Sequence, residues 1–185
     1  MAADARIAAG SLVVVSGPSR GGKSRWAEFL LTGEPHVTYV ATAPDRPDDQ
    51  DWQTRLALHR RRRPSHWHLL ESGAELTTAL QTIPQHSSVL IDALGGFVAS
   101  HLDDADQVWN KCCDELIQQL AAMDQTCVVV IEETGWGVVP PTRIGGCFRD
   151  RLGSLAQSLD READAAWLVL QGRAVDLHAL SQPVP

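Results

Sequence analysis

A stretch near the amino terminus has the residue types and spacing of a phosphate-binding loop. Residues 17–24 read G-x-x-x-x-G-K-S and directly follow the apolar run Leu12–Val15. Glycines allow a tight turn whose backbone N–H groups point at phosphate oxygens, and the helix that follows adds its positive end. In such a loop the lysine reaches the β- and γ-phosphates and the serine hydroxyl binds Mg²⁺. The pattern predicts a nucleoside triphosphate site, and the alternative is a glycine turn with a surface lysine. The candidate nucleotide-binding residues of the loop are Gly17, Pro18, Ser19, Arg20, Gly21, Gly22, Lys23 and Ser24.

Two further apolar runs end in carboxylates. One leads into Asp92, and the other, Val128–Ile131, leads into Glu132 and Glu133. An acid at the end of a strand beside the loop orients Mg²⁺ in phosphate-loop enzymes, so Ser24 and Asp92 are the candidate metal ligands. The alternative is that Asp92 only caps a strand. The glycine-rich stretch 134–140 then either approaches a ligand or forms a turn around a half-buried tryptophan.

A basic segment, residues 55–64, carries a candidate nucleophile. On a helix, Arg55 and His59 lie one turn apart on the same face. A neutral imidazole attacks phosphorus well, neighbouring cations favour that neutral form, and guanidinium groups can hold phosphate oxygens. From composition alone, however, an exposed basic helix end with a bystander histidine is the preferred interpretation, because runs of charge are usually solvated.

The elements that must position these residues alternate along the chain. Apolar runs predict strands at 12–16, 36–41, 89–91, 127–131 and 166–170, with a short strand near 174–177. Helices are predicted at 23–31, 51–61, 103–123 and 143–160, and a capping box at 72–75 predicts a short helix to 81. Continuous apolar strands separated by helices predict an α/β fold, a P-loop NTPase fold with a mainly parallel sheet in a single three-layer domain. We expect a flexible lead over residues 1–10, this domain over 11–178 and a tail over 179–185.

Composition excludes several classes of function. The chain has 185 residues, 44% of them hydrophobic, and a net charge of −7, which argues against coating of nucleic acids. No apolar run approaches the length of a membrane span, and residues 1–10 lack the apolar core of a secretory signal. The four cysteines show no metal-binding spacing. We therefore expect a cytoplasmic protein with reduced thiols and no stable membrane insertion.

Taken together, the motifs resemble a known family. From about residue 12 to 171 the chain is similar to the bifunctional adenosylcobinamide kinase/adenosylcobinamide-phosphate guanylyltransferases of cobalamin (vitamin B12) biosynthesis. The segments that carry the resemblance are Gly17–Glu28, Tyr39–Thr42, Arg55–His59 with Arg63–Trp67, Glu133–Pro140, and Arg143 with Phe148–Asp150.

The resemblance implies an activity and a set of site residues. It implies that a triphosphate first phosphorylates adenosylcobinamide, and that His59 then attacks the α-phosphate of GTP, carries GMP and passes it to adenosylcobinamide phosphate. Lys23 and His59 are the implied catalytic residues, Mg²⁺ the cofactor, GTP and ATP the nucleotides, and a homo-oligomer, a trimer, the assembly. The nucleotide-binding candidates outside the loop are Arg55, Arg63, Glu71, Asp92 and Glu133.

Four positions depart from the family pattern. Pro18 stands where relatives have glycine, Gly21 where they have serine, Gly95 where they have threonine, and Ala156 where they have asparagine. A lost hydrogen bond to a charged group costs about 1.5–3 kcal/mol, which slows a reaction by about one to two decades. We expect the kinase half and the corrinoid contacts to be more affected than guanylyl transfer. The alternatives are a P-loop small-molecule kinase with another acceptor, and a relative that retains guanylyl transfer or GTP binding only.

Overall fold

A seven-stranded sheet organises the chain. The structure is a computed structural model that describes residues 7–44 and 47–184, except for the side chains of Trp52, Arg55, Leu58 and His59. The strand order is β3-β2-β4-β5-β1-β6-β7, and every neighbouring pair is parallel except β6 with β7. The strands are β1 Leu12–Gly17, β2 Val37–Ala41, β3 His68–Glu71, β4 Ser88–Asp92, β5 Cys127–Glu132, β6 Ala165–Leu170 and β7 Arg173–Asp176. The helices are α1 Lys23–Leu30, α2 Gln50–Arg62, α3 Leu76–Gln81, α4 Leu94–Ser100, α5 Asp106–Ala121, α6 Arg143–Glu162 and α7 Leu177–Leu180.

The two faces of the sheet are covered by different helices. Successive side chains of a strand point to opposite faces, and in β1 Val13 and Val15 pack with α1 whereas Leu12 and Val14 pack with α3 to α6. Burial on both faces explains why the central strands are continuously apolar rather than alternating. This arrangement confirms the predicted α/β fold with a mainly parallel sheet.

Three elements were not predicted from the sequence: β3, α4 and the four-residue helix α7. The edge strand β3 is only four residues long and none of them is buried, so it lacks the apolar signal of the central strands. Helix α4 contains Gly95 and Gly96, which disfavour helix. It forms because it buries Leu94, Phe97 and Val98 against the sheet, and this burial outweighs local propensity.

The capping box predicted at 72–75 is wrong, and the helix predicted from residue 103 begins later, at Asp106. Helix α3 begins at Leu76 after Glu75, without a side-chain cap, and the Ser72 hydroxyl lies 3.5 Å from the carbonyl oxygen of Ala41. Helix α5 begins after Ala105, also without a side-chain cap. The carbonyl of Asp104 instead accepts a hydrogen bond of 2.7 Å from Arg151, a residue distant in sequence.

Parallel pairing brings the chemically important strand ends to one edge of the sheet. In the register of β1 with β5, Gly17 lies opposite Glu132, and in that of β4 with β5, Asp92 lies opposite Val130. The phosphate-binding loop that follows β1 therefore begins beside the carboxylates that end β4 and β5. Within the part of the chain that the structure describes, no helix is both long and apolar enough to cross a membrane.

Candidate nucleotide-binding and transfer site

The loop between β1 and α1 has the backbone that its glycines predict. Gly17 and Gly22 have φ values of 149° and 111°, in a region that side chains disfavour. Gly21 lies against β6, where an added Cβ would meet the carbonyl oxygen of Val169 at 2.7 Å. The structure thus gives a steric reason for glycine at position 21, one of the four predicted departures from the family pattern.

Lys23 is held inside this loop. Its ammonium group donates a hydrogen bond of 2.9 Å to the carbonyl of Pro18, and the residue is only 8% exposed. Burial lowers the pKa of Lys23, while the negative charges of Glu132, Asp92 and Glu133 oppose that shift. Pro18 has no N–H to offer a phosphate, but its carbonyl organises the loop by also accepting from the backbone N–H of Gly21 at 3.1 Å.

Asp92 is oriented by a side chain that the sequence analysis did not select. The hydroxyl of Tyr39, on the neighbouring strand β2, donates to an Asp92 oxygen at 2.9 Å. Burial and then the charge of Asp92 raise the pKa of this tyrosine. The guanidinium of Arg63 lies 4.7 Å from the centre of the Tyr39 ring, within cation–π range. Two signals in the sequence point to Tyr39: it is the only tyrosine of the chain, and it begins the segment Tyr39–Thr42 that contributes to the family resemblance.

Glu132 is the second carboxylate beside the loop. One of its oxygens accepts the backbone N–H of Gly95 at 2.9 Å. A Cβ on Gly95 would meet both carboxylate oxygens of Glu132, at 2.7 and 2.8 Å. Gly95 therefore leaves the space that this carboxylate occupies. Burial raises the pKa of Glu132, against the lowering effect of backbone hydrogen bonds and of Lys23.

Helix α2 is joined to α1 by a bidentate ion pair. Arg62 donates through Nε and Nη2 to the two carboxylate oxygens of Glu28, at 2.6 and 2.8 Å. The hydrogen bond to Glu28 is the main cause that raises the pKa of Arg62. Planar two-point pairing of this kind fixes orientation as well as distance, so it sets where the end of α2 lies relative to the loop helix.

Lys23, Tyr39, Arg62, Asp92 and Glu132 line one cavity of about 640 Å³. Among the predicted site residues, those that line it are Ser19, Arg20, Gly22, Lys23, Ser24, Arg63, Glu71 and Asp92. The structure adds Tyr39, Glu132, and Leu56 and Arg60 of α2. No group of three or more His, Cys, Asp or Glu side chains is arranged to hold a metal ion in the described ranges 7–44 and 47–184.

The remaining predicted residues are placed as follows. Gly17, Pro18 and Gly21 are absent from the cavity lining, and Gly17 and Gly21 lie against Val169 of β6. The backbone N–H of Glu133 donates to the carbonyl of Gly17 at 2.8 Å, which ties β5 to the loop. Arg55 and His59 belong to α2, the helix that also contributes to the cavity wall, but their side chains lie outside the described residues.

The fold and the loop define the class of protein: an α/β P-loop nucleotide-binding protein with its site at the carboxyl ends of parallel strands. Solved structures with this fold include a protein from Pyrococcus horikoshii (TM-score 0.57, 7% identity, 97% of this chain and 93% of that one). Another is an ATPase from a type III secretion system of pathogenic bacteria (TM-score 0.52, 14% identity, 86% and 51%).

Sequence comparison narrows the class to a family. The model of the CobU family, cobinamide kinase / cobinamide phosphate guanyltransferase, matches residues 13–177, and the chain belongs to this family. It is 32% identical over 182 residues to a bifunctional adenosylcobalamin biosynthesis protein of Salmonella typhimurium, across 90% of this chain and 99% of that protein. A protein of the same description from Pseudomonas aeruginosa is 30% identical over 168 residues, across 89% and 95%. The family resemblance seen in the motifs is confirmed.

Proposed function

We propose that this chain phosphorylates adenosylcobinamide and then transfers GMP from GTP to adenosylcobinamide phosphate through a covalent guanylyl-histidine, giving adenosyl-GDP-cobinamide. The observation that carries the proposal is the shared cavity. It joins Lys23 and Ser24 of the loop, the Asp92 carboxylate and residues of α2, the helix that contains His59.

The two half-reactions use different parts of this cavity. The kinase step needs the γ-phosphoryl group in line with the corrinoid hydroxyl and cations that stabilise its charge, which Lys23 and Arg63 provide. The guanylyl step needs a nucleophile at the α-phosphorus. The imidazole of His59 forms the bond to that phosphorus, and the bond to the β-phosphate oxygen breaks to release pyrophosphate.

The oxygen side chains beside the loop suit Mg²⁺. This ion is usually bound by one or two carboxylates together with substrate phosphates, and the Ser24 hydroxyl and the Asp92 carboxylate line the same cavity. We assign these two residues to the ion, which neutralises phosphate charge when it is bound. The hydrogen bond from Tyr39 keeps the Asp92 carboxylate directed at this position.

The reaction takes place in the cytoplasm in this proposal, and the assembly is a homotrimer. ATP or GTP supplies the γ-phosphoryl group, and GTP supplies GMP. Size-exclusion chromatography with light scattering tests the trimer, which a monomeric mass would contradict.

Covalent labelling tests the guanylyl-histidine. Wild-type protein incubated with Mg²⁺ and GTP labelled in the α-phosphate should retain the label in an acid-labile, base-stable adduct, located by peptide mass spectrometry on His59. His59→Ala should abolish the label because the nucleophile is gone. His66→Ala is the matched control, since this exposed histidine follows α2 and is absent from the cavity lining. Equal labelling of His59→Ala and wild type would disprove the covalent mechanism.

A further inference from the structure

We propose that Glu132 is a catalytic residue of the kinase half-reaction, the carboxylate that accepts the proton of the corrinoid hydroxyl. This inference rests on the proposed function and assigns a role to a residue that the phosphate-binding motif does not contain. In the step, the hydroxyl oxygen bonds to the γ-phosphorus, the bond to the β–γ bridging oxygen breaks and its electrons leave with the nucleoside diphosphate. The hydroxyl proton passes to Glu132.

The position of Glu132 in the sheet supports this role. It ends β5, which lies directly beside β1, and it is paired in register with Gly17, the first residue of the loop. Neighbouring strands are about 4.8 Å apart, so the carboxylate starts one strand spacing from the loop that holds the γ-phosphate. Its charge acts on Lys23, the side chain that reaches that phosphate.

The other carboxylates of the site are less suited to this step. Asp92 already accepts the Tyr39 hydroxyl and is assigned to Mg²⁺. Glu71 ends β3, which is four strands away from β1 in the sheet order and therefore about 19 Å to the side. Glu133 lies beyond the end of β5 and is absent from the cavity lining.

The carboxylate of Glu132 is held by a hydrogen bond and has further acceptor positions. Its oxygen accepts the N–H of Gly95 at 2.9 Å, and a carboxylate has about four acceptor positions, which leaves sites for a substrate hydroxyl. Gly95 also leaves room for this carboxylate, because a side chain at position 95 would occupy the same space as its two oxygens. The glycine thus allows the carboxylate to stay beside the loop.

Separate assays of the two half-reactions test the assignment. The kinase step is followed as adenosylcobinamide phosphate formed from ATP or GTP, and the guanylyl step as the α-labelled adduct. Glu132→Gln should lower the kinase kcat about 100-fold, the usual size of a lost acid–base group, and change the KM for nucleotide by less than about threefold. Adduct formation should stay within about threefold of wild type, because the attacking imidazole has no proton to lose to Glu132. Glu115→Gln, an exposed glutamate of α5, is the matched control for both assays.

A second variant keeps the carboxylate but moves it. Gly95→Ala places a Cβ against the end of the flexible Glu132 side chain, which can shift without disturbing the backbone. Since displacement by about 1 Å can cost on the order of 100-fold, this variant should lower the kinase rate at least about tenfold while the adduct still forms.

Defined outcomes would overturn the assignment. Kinase activity of Glu132→Gln within about threefold of wild type would do so, as would an equal loss in both half-reactions. If Glu132→Gln does not fold, full kinase activity in Gly95→Ala decides against the assignment. A wild-type protein that forms the adduct but never phosphorylates adenosylcobinamide removes this inference and leaves guanylyl transfer intact, whereas absence of both activities removes the proposed function itself.

Discussion

At the scale of residues, the site concentrates opposite charges in a small buried volume. Lys23 lies among the charges of Glu132, Asp92 and Glu133, and burial shifts Lys23 and Glu132 toward their neutral forms. An ion removed from water is stable only with close partners. The carboxylate of Glu132 is therefore held at a cost to stability, as is common for groups kept for chemistry.

The difference in unfolding free energy between Glu132→Gln and wild type should depend on pH. The pKa of Glu132 is raised by burial, so its protonated form favours the folded state, and that contribution is lost as pH rises through the raised pKa. At pH 8 the neutral glutamine should therefore increase the free energy of unfolding by about 1 kcal/mol, and the gain should shrink as pH falls toward 4.5. Chemical denaturation of both proteins from pH 4.5 to 8 measures this. A variant less stable than wild type at pH 8 would contradict the direction of the shift.

At the scale of elements, the orientation of α2 depends on a contact with α1. The bidentate pair of Arg62 with Glu28 ties the end of α2 to α1, and the next residue, Arg63, contacts the Tyr39 ring. Glu28 is only 9% exposed, so the pair is screened less by solvent than a surface ion pair. Because His59 lies on the same helix, the proposed nucleophile depends on this contact for its position.

Glu28→Gln tests that dependence. Loss of the charge leaves Arg62 with a weaker partner, which should cost about 1–3 kcal/mol of stability and slow adduct formation more than GTP binding. Thermal unfolding, GTP calorimetry and the α-labelled adduct are the three measurements. The matched control is Glu115→Gln, whose ion pair with Lys111 is exposed and should be worth less than about 1 kcal/mol. Equal effects of the two substitutions would show that the pair does not position α2.

At the scale of the whole molecule, the core is divided by the sheet into two unequal layers. The larger layer, beneath α3 to α6, contains Cys127 of β5, which is 1% exposed. Burial raises the pKa of its thiol to about 12, and that of Cys113 also to about 12. At the fully buried Cys127, a thiolate forms only when the fold opens.

Cys127 should therefore report global unfolding. At pH 8 its thiolate fraction in the folded protein is about 1,000-fold lower than for an ordinary thiol, because the reactive form is the anion. Labelling by iodoacetamide should be undetectable in native protein, should rise in parallel with unfolding in guanidinium chloride, and should fall when GTP stabilises the fold. Peptide mass spectrometry resolves each cysteine. Rapid native labelling of Cys127 would contradict this description of the core.

The sequence by itself determined the loop at residues 17–24, the strands and helices around it, the parallel sheet and the family. Each of these is carried by neighbouring residues or by a regular period, which can be recognised without knowing what lies across the molecule. The tertiary structure decided the contacts that shape the site: Glu132 with Gly95, 37 residues apart, Glu28 with Arg62, 34 apart, and Tyr39 with Asp92, 53 apart. It also decided β3 and α4, whose local sequence signals are weak. The strand β3 forms by pairing at the edge of the sheet, and α4 forms by packing its apolar side chains in the core. Such pairs arise only when strand order and register bring distant segments together, and no periodicity in the chain encodes that distance.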